Sequence, residues 1–181
     1  MHEGIFKVDR LNTLLVQDGA SFQFEWDDRK LKIDVLNLKD LEKRLSELDA
    51  SPESVEPHAN IRLLFNRAES ALSSSDYSQL IHNCASIFET LAKDILADPN
   101  VDPHTLGSFF EKYRKTSALP DPVLDFILDQ YKLRNRVPLA GHGSRLPSPA
   151  MTNEQATMLV EMTRAFVKTE YRLLTSKLPR K

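Results

Sequence analysis

Cysteine occurs once in the 181 residues, at Cys84, so no disulfide can form within the chain and a multi-cysteine metal cluster is excluded. Long apolar runs are missing as well: none approaches the ~20 residues that a membrane-crossing helix needs. Met1-His2-Glu3-Gly4 lacks the basic-then-apolar plan of a secretory leader, so a cytoplasmic location without membrane contact is expected. An excess of positive charge is also lacking. With 24 Lys and Arg against 26 Asp and Glu, the net charge is −2, which argues against a broad, sequence-blind polyanion binder. Hydrophobic residues make up 41% of the chain, enough for a globular core. The length suits one domain, or one domain with a short appendage. Internal repeats and low-complexity tracts are absent.

The N-terminal part has the pattern of strands. Residues 12–17 are apolar-rich, Asp18-Gly19 is a tight-turn signal, and 21–26 alternates, with Phe22, Phe24 and Trp26 on one face and Gln23 and Glu25 on the other. Asp27-Asp28 makes a second turn, after which Leu31, Ile33 and Val35 alternate with Lys32 and Asp34. This predicts a three-stranded antiparallel meander. Such a sheet needs a cover, and the helix expected over 38–48, with Leu38, Leu41, Leu45 and Leu48 on one stripe, supplies it. Residues 50–57 are polar and proline-bearing and form a linker.

Everything beyond is helical in pattern. One helix is expected over 58–73, with Ile61, Leu64, Phe65, Ala68 and Leu72 inward, broken at Ser74-Ser75-Asp76. A second spans 77–97, where Tyr77, Leu80, Ile81, Cys84, Ala85, Phe88, Leu91, Ala92 and Ile95 keep the helical period until Pro99. A third is expected directly after Asp102-Pro103, carrying Leu106, Phe109, Phe110 and Tyr113. A fourth starts at Asp121-Pro122, with Val123, Leu124, Ile127, Leu128 and Tyr131 as its stripe, and is stopped by Pro138. Residues 139–151 form a loop, and 152–155 is a capping box for a last helix bearing Leu159, Met162, Thr163, Phe166 and Leu173. Cys84 and the Phe109-Phe110 pair are core residues on this pattern, and His82 and Cys84 diverge too far on one helix to share a metal.

Chemistry concentrates at the end of the fourth helix. Lys132, Arg134, Arg136, His142 and Arg145 form a local basic patch, and His142 stands between Gly141 and Gly143. Flanking glycines let a ligand approach the backbone closely. A loop histidine moves protons near neutral pH, and an arginine pairs bidentately with phosphate and stabilises charge growing on its oxygens. These are the parts of metal-independent phosphodiester cleavage. The helix dipole also favours arginines at a helix C-terminus, and Gly-His-Gly also serves as a plain turn. Glu89 has two readings: a half-buried partner of Arg134 or Arg136, or a surface partner of Lys93 four residues on.

Leu133-Arg134-Asn135 followed by His142-Gly143 resembles the signature of the HEPN superfamily, in particular the C-terminal domain of abortive-infection proteins. A second stretch resembles the same family: Ala71-Leu72-Ser73-Ser74-Ser75-Asp76-Tyr77, then Ile81-His82-Asn83-Cys84-Ala85, then Glu89 and Ile95-Leu96. The similarity covers about residues 57–176. It implies a mainly α fold with an HEPN-like helical bundle over 57–178; the small meander-plus-helix module over 1–50, read from the residue pattern, precedes it and lies outside the resemblance. It further implies a homodimer through the motif-bearing helices and cleavage of RNA, without cofactor or metal, by attack of the ribose hydroxyl on the neighbouring phosphate. On that model Arg134 grips the phosphate, His142 acts as acid or base, and Asn135 holds the backbone or the histidine. Arg136 and Glu89 support the site, and Lys132 and Arg145 contact substrate phosphates. The implied role is that of a toxin or anti-phage defence protein, with a neutralising or sensor protein as a further partner. The family motif places four to six residues between Arg and His. Here Arg134 and His142 are separated by seven, and Arg136 and His142 by five. Two alternatives therefore stand beside the first: Arg136 as the active arginine, and a catalytically silent module that dimerises or binds a partner.

Overall fold

The computed structural model describes residues 2–20, 22–27, 30–36, 57–138, 140 and 151–175. The helix expected over 38–48, the turn residue Asp28, most of the linker, most of the 139–151 loop and the C-terminal tail lie outside the described residues.

The chain opens with a helix, α1 (His2–Gln17), and not with the strand expected over 12–17. Val8, Leu11 and Leu15 are all buried. Their spacing of three and four residues makes one helical stripe. Leu14-Leu15-Val16, seen alone, imitates a strand. Asp18-Gly19 closes this helix. Gly19 adopts φ 75°, its N–H bonds Val16 O at 3.0 Å and Ala20 N–H bonds Leu15 O at 2.9 Å, the paired bonds of a Schellman motif.

Two strands follow, β1 (Phe22–Asp27) and β2 (Lys30–Val35), antiparallel, with Phe22 opposite Val35 and Asp27 opposite Lys30. Among the described residues the sheet has two strands, and α1 takes the place beside β1 expected for a third. The Asn12 carboxamide donates to Phe24 O at 2.7 Å and accepts from Phe24 N–H at 2.8 Å, as a neighbouring strand would. Asn12→Ala leaves both backbone groups without that partner. It is expected to cost about 2 kcal/mol in urea denaturation; a change under about 0.5 kcal/mol, the scale of an ordinary surface substitution, would show the amide pairing to be idle. Phe22 and Phe24 are buried as expected. Ile33 and Val35, expected on the covered face, are 43% and 63% exposed, because β2 overhangs the core that β1 covers.

The remaining α-helices among the described residues are α2 (Ala59–Ser73), α3 (Tyr77–Leu96), α4 (Leu106–Thr116), α5 (Asp121–Leu133) and α6 (Asn153–Thr175). The α2–α3 break falls at Ser74-Ser75-Asp76, where Ser75 takes φ 56° and the Asp76 carboxylate accepts from Gln79 N–H at 3.0 Å. Helix α4 begins later than expected. Asp98 accepts from Asn100 N–H and Pro99 opens a 3-10 turn (Pro99–Val101), so the proline that starts a helical segment is Pro99, and Pro103 lies in the turn that follows. The capping box at the start of α6 is present: Thr152 N–H donates to Gln155 Oε1 at 3.0 Å and Gln155 N–H to Thr152 Oγ1 at 3.3 Å.

Helix α3 is the central element. It gives Ala85, Phe88 and Ala92 to a large apolar cluster that also takes in Leu11, Phe22, Phe24, Tyr113, Ile127 and Phe166. It gives Leu80, Ile81 and Cys84 to a second cluster, and Ile87 and Leu91 to a third. Thus α1 and the hairpin share a core with the helices. Burial pushes the Cys84 thiol up to about 12, which keeps it a neutral core residue. No helix among the described residues is long and apolar enough to cross a membrane.

Candidate functional site

The polar residues of α3 follow the helical period as the apolar ones do. Ser78, His82, Glu89 and Lys93 are spaced by four, seven and four residues, and so fall on one stripe about 60° wide. The end of α5 and the chain after it lie along this stripe.

Glu89 is the hub. Its Oε2 accepts from the Tyr131 hydroxyl at 2.9 Å and from Leu106 N–H at 3.2 Å, and its Oε1 accepts from Lys93 Nζ at 3.1 Å. Leu106 opens α4, so the carboxylate also meets the positive end of that helix dipole. Arg134 donates from a terminal guanidinium nitrogen to the Tyr131 oxygen at 2.7 Å, and its guanidinium carbon lies 4.5 Å from the Tyr131 ring centroid. The result is a directed chain, Arg134 to Tyr131 to Glu89, each donor aimed at the next acceptor. Arg134 Nε is buried and has no hydrogen-bond partner.

Burial raises the Glu89 carboxyl, but hydrogen bonds from Leu106, Lys93 and Tyr131 outweigh it and hold the group below its ordinary 4.5. Burial first, and then the bond to Glu89, pushes the Tyr131 phenol up, so it remains a neutral donor. A carboxyl lowered by folding stabilises the fold fully above 4.5, and that contribution is lost as pH falls through the folded-state value. The stability gap between the native protein and Glu89→Gln is therefore expected to be widest near neutral pH. It narrows on acidification below 4.5. Urea denaturation across that range measures it, and a constant gap would remove Glu89 from the acid response.

The two sequence readings of Glu89 both find a counterpart: Lys93 touches the carboxylate directly, and Arg134 reaches it through Tyr131. Arg134 caps α5 with helical dihedrals (φ −48°, ψ −39°) and is half-buried, whereas Lys132, Asn135 and Arg136 are exposed. Helix α5 ends at Leu133, ahead of the stop expected from Pro138. Asn135 N–H and Arg136 N–H turn back to Lys132 O and Leu133 O at 3.1 and 2.9 Å, which tightens the chain before the proline. His142, Gly143 and Arg145 lie outside the described residues.

The approach to the glycine loop is pinned to α3. Ser78 Oγ donates to Pro138 O at 2.8 Å, and His82 Nδ1 lies 2.6 Å from Ala140 O. A carbonyl only accepts, so the His82 proton is assigned to Nδ1. Leu133, Val137 and buried Ala140 pack with Leu80, Ile81 and Cys84. Tyr131, Ser78 and His82 were absent from the residues singled out by sequence for the site. The polar spacing of four, seven and four on α3 was the signal that could have found them.

Away from this stripe, Glu170 is fully buried in α6, where its carboxylate accepts from Ser117 Oγ at 2.7 Å and Ala118 N–H at 3.0 Å, joining α6 to the α4–α5 connection. Among the described residues no group of three or more His, Cys, Asp or Glu is placed to hold a metal ion. No family model, curated protein or solved structure matches this chain.

Proposed function

We propose that this chain is a metal-independent endoribonuclease of HEPN type, acting on RNA in the cytoplasm as a toxin or abortive-infection protein. The observation that carries the reading is the Arg134 guanidinium, braced on the ring and hydroxyl of Tyr131 with its Nε unpartnered. A guanidinium fixed in this way at a half-buried helix end suits a phosphate oxygen that gains charge in a transition state. The α2–α3 break at Ser74-Ser75-Asp76 and Glu89 in the middle of α3 fit the same family reading.

On this reading the ribose hydroxyl loses its proton and attacks the adjacent phosphorus. The bond to the next nucleotide's oxygen breaks and that oxygen takes up a proton, leaving a cyclic phosphate. His142 transfers a proton at one of these oxygens, and Arg134 holds the phosphate. A second subunit faces its own copy of the motif across the cleft. The test incubates the purified protein with RNA in excess chelator, beside Arg134→Ala and His142→Ala. Cleavage that resists chelator and disappears in both variants is the expected result. Cleavage that persists in both variants, or none by any form, removes the assignment.

A second reading, a silent module for dimerisation or partner binding, is favoured by the engagement of Arg134 with Tyr131 inside the fold and by the seven-residue spacing to His142. It expects the Arg134 variants to change melting temperature while no form cleaves RNA.

A further inference from the structure

We propose that Ser78 and His82 are positioning residues for RNA cleavage, fixing on α3 the turn that carries Arg134. The inference rests on the ribonuclease reading and adds to it two residues that touch no substrate. Between the end of α5 and Ala140 the chain is neither helix nor strand, so its backbone groups need other partners. Asn135 N–H turns back onto Lys132 O, and Arg136 and Val137 N–H onto Leu133 O. Ala140 N–H bonds Val137 O at 3.3 Å, which closes a turn with Pro138 at its second position, where proline is favoured. Pro138 O then accepts from Ser78 Oγ at 2.8 Å, and Ala140 O meets His82 Nδ1 at 2.6 Å, across 60 and 58 positions of sequence.

The two donors stand four residues apart, so they share one face in the first two turns of α3. Glu89 follows seven residues after His82, about 10 Å along the axis, and holds Arg134 through Tyr131. The Arg134 turn is thus fastened to one helix at two places, by Tyr131 ahead of it in the chain and by Ser78 and His82 behind it. Leu133, Val137 and Ala140 pack against Leu80, Ile81 and Cys84 between the two. A misplacement of about 1 Å in a catalytic group can cost about a hundredfold in rate, so the clamp bears on cleavage without meeting RNA. The imidazole carries its Nδ1–H in this tautomer whether neutral or protonated, so the clamp needs no proton to leave His82.

Steady-state RNA cleavage by the full chain in excess chelator, with kcat and KM read separately, tests the role. His82→Ala and His82→Gln are each expected to lower kcat by about tenfold or more with KM unchanged. His82→Asn is expected to keep kcat within about threefold of native, because its Nδ2 lies as many bonds from Cβ as the imidazole Nδ1, whereas the glutamine donor sits one carbon further out. Ser78→Ala, which removes the other donor, is expected to lower kcat by about threefold or more. The pH profile of His82→Asn is expected to keep the native shape, since a positioning residue passes no proton. Circular-dichroism melts establish which variants fold, and the asparagine–glutamine comparison decides alone if His82→Ala does not. With the native protein active, a loss in His82→Asn as deep as in His82→Gln, a limb missing from its pH profile, or kcat unchanged in both His82→Ala and His82→Gln overturns this inference and leaves the ribonuclease reading standing. No cleavage by the native chain removes that reading and the inference with it.

Discussion

Phe166→Ala is expected to lower the stability by about 3–5 kcal/mol and the melting temperature by about 6–20 °C. Phe166 is fully buried on α6 and holds two other elements at once. It stacks on Phe24 of β1 with centroids 5.6 Å apart and meets Phe126 of α5 edge-on at 5.8 Å. Phe24 in turn meets Phe22 edge-on at 5.8 Å. Truncation opens a cavity between the hairpin and the helices, and neither wall can close it without moving the other. Two probes read the loss separately. Far-ultraviolet circular dichroism follows the helices, and fluorescence of Trp26, the single tryptophan, follows the hairpin strand. Because α1, β1 and the helices share one apolar cluster, the two melts are expected to coincide in the native protein and to shift together in the variant. A hairpin transition that moves away from the helical one would show 1–50 to be an independent unit joined to the rest by weak contacts.

The helical part of this fold is legible in sequence because its signals are local. The α3 stripe, the Ser74-Ser75-Asp76 break and the Thr152–Gln155 capping box each rest on residues within one or two turns. The α1 segment was not legible in the same way. The stripe of Val8, Leu11 and Leu15 begins ahead of the apolar cluster that catches the eye, and Leu14-Leu15-Val16 fits a strand equally well. What decides between them is tertiary: Asn12 pairs with the Phe24 backbone from a helix. Likewise the alternation of Ile33 and Val35 gives a strand correctly but not its burial, since the register puts Val35 opposite buried Phe22 and yet beyond the edge of the core.

The site divides along the same line. Arg134 and Glu89 are visible as residue types in a suggestive order, but the link between them is Tyr131, which the helical period marks only as a core position. Its ring serves the core and its hydroxyl serves the site, a division that a one-letter pattern does not carry. His82 is similar. Nothing near it in sequence suggests a partner, and its bond is to a carbonyl 58 positions away.

On the proposed ribonuclease reading, Arg134→Ala is expected to reduce chelator-resistant RNA cleavage by at least about a hundredfold, the usual cost of removing one donor aimed at developing charge. The loss is expected in kcat more than in KM, because the pull of the guanidinium on the phosphate oxygens is strongest as they become more negative. Arg134→Lys keeps the charge, but an ammonium at the end of a flexible stem does not reproduce the planar fork that bonds Tyr131 while presenting a second donor elsewhere. It is expected to recover less than about a tenth of the native rate, well short of what charge alone would restore. Tyr131→Phe keeps the ring under the guanidinium and removes only the hydroxyl between Arg134 and Glu89. Its rate is expected to fall between the native protein and Arg134→Ala. This order of the three variants separates positioning from charge. If Arg134→Lys matches the native rate, the guanidinium geometry is irrelevant and the Tyr131–Glu89 brace has no part in cleavage. If all three cleave as the native protein does, Arg134 is a structural cap of α5 that holds the helix end against α3.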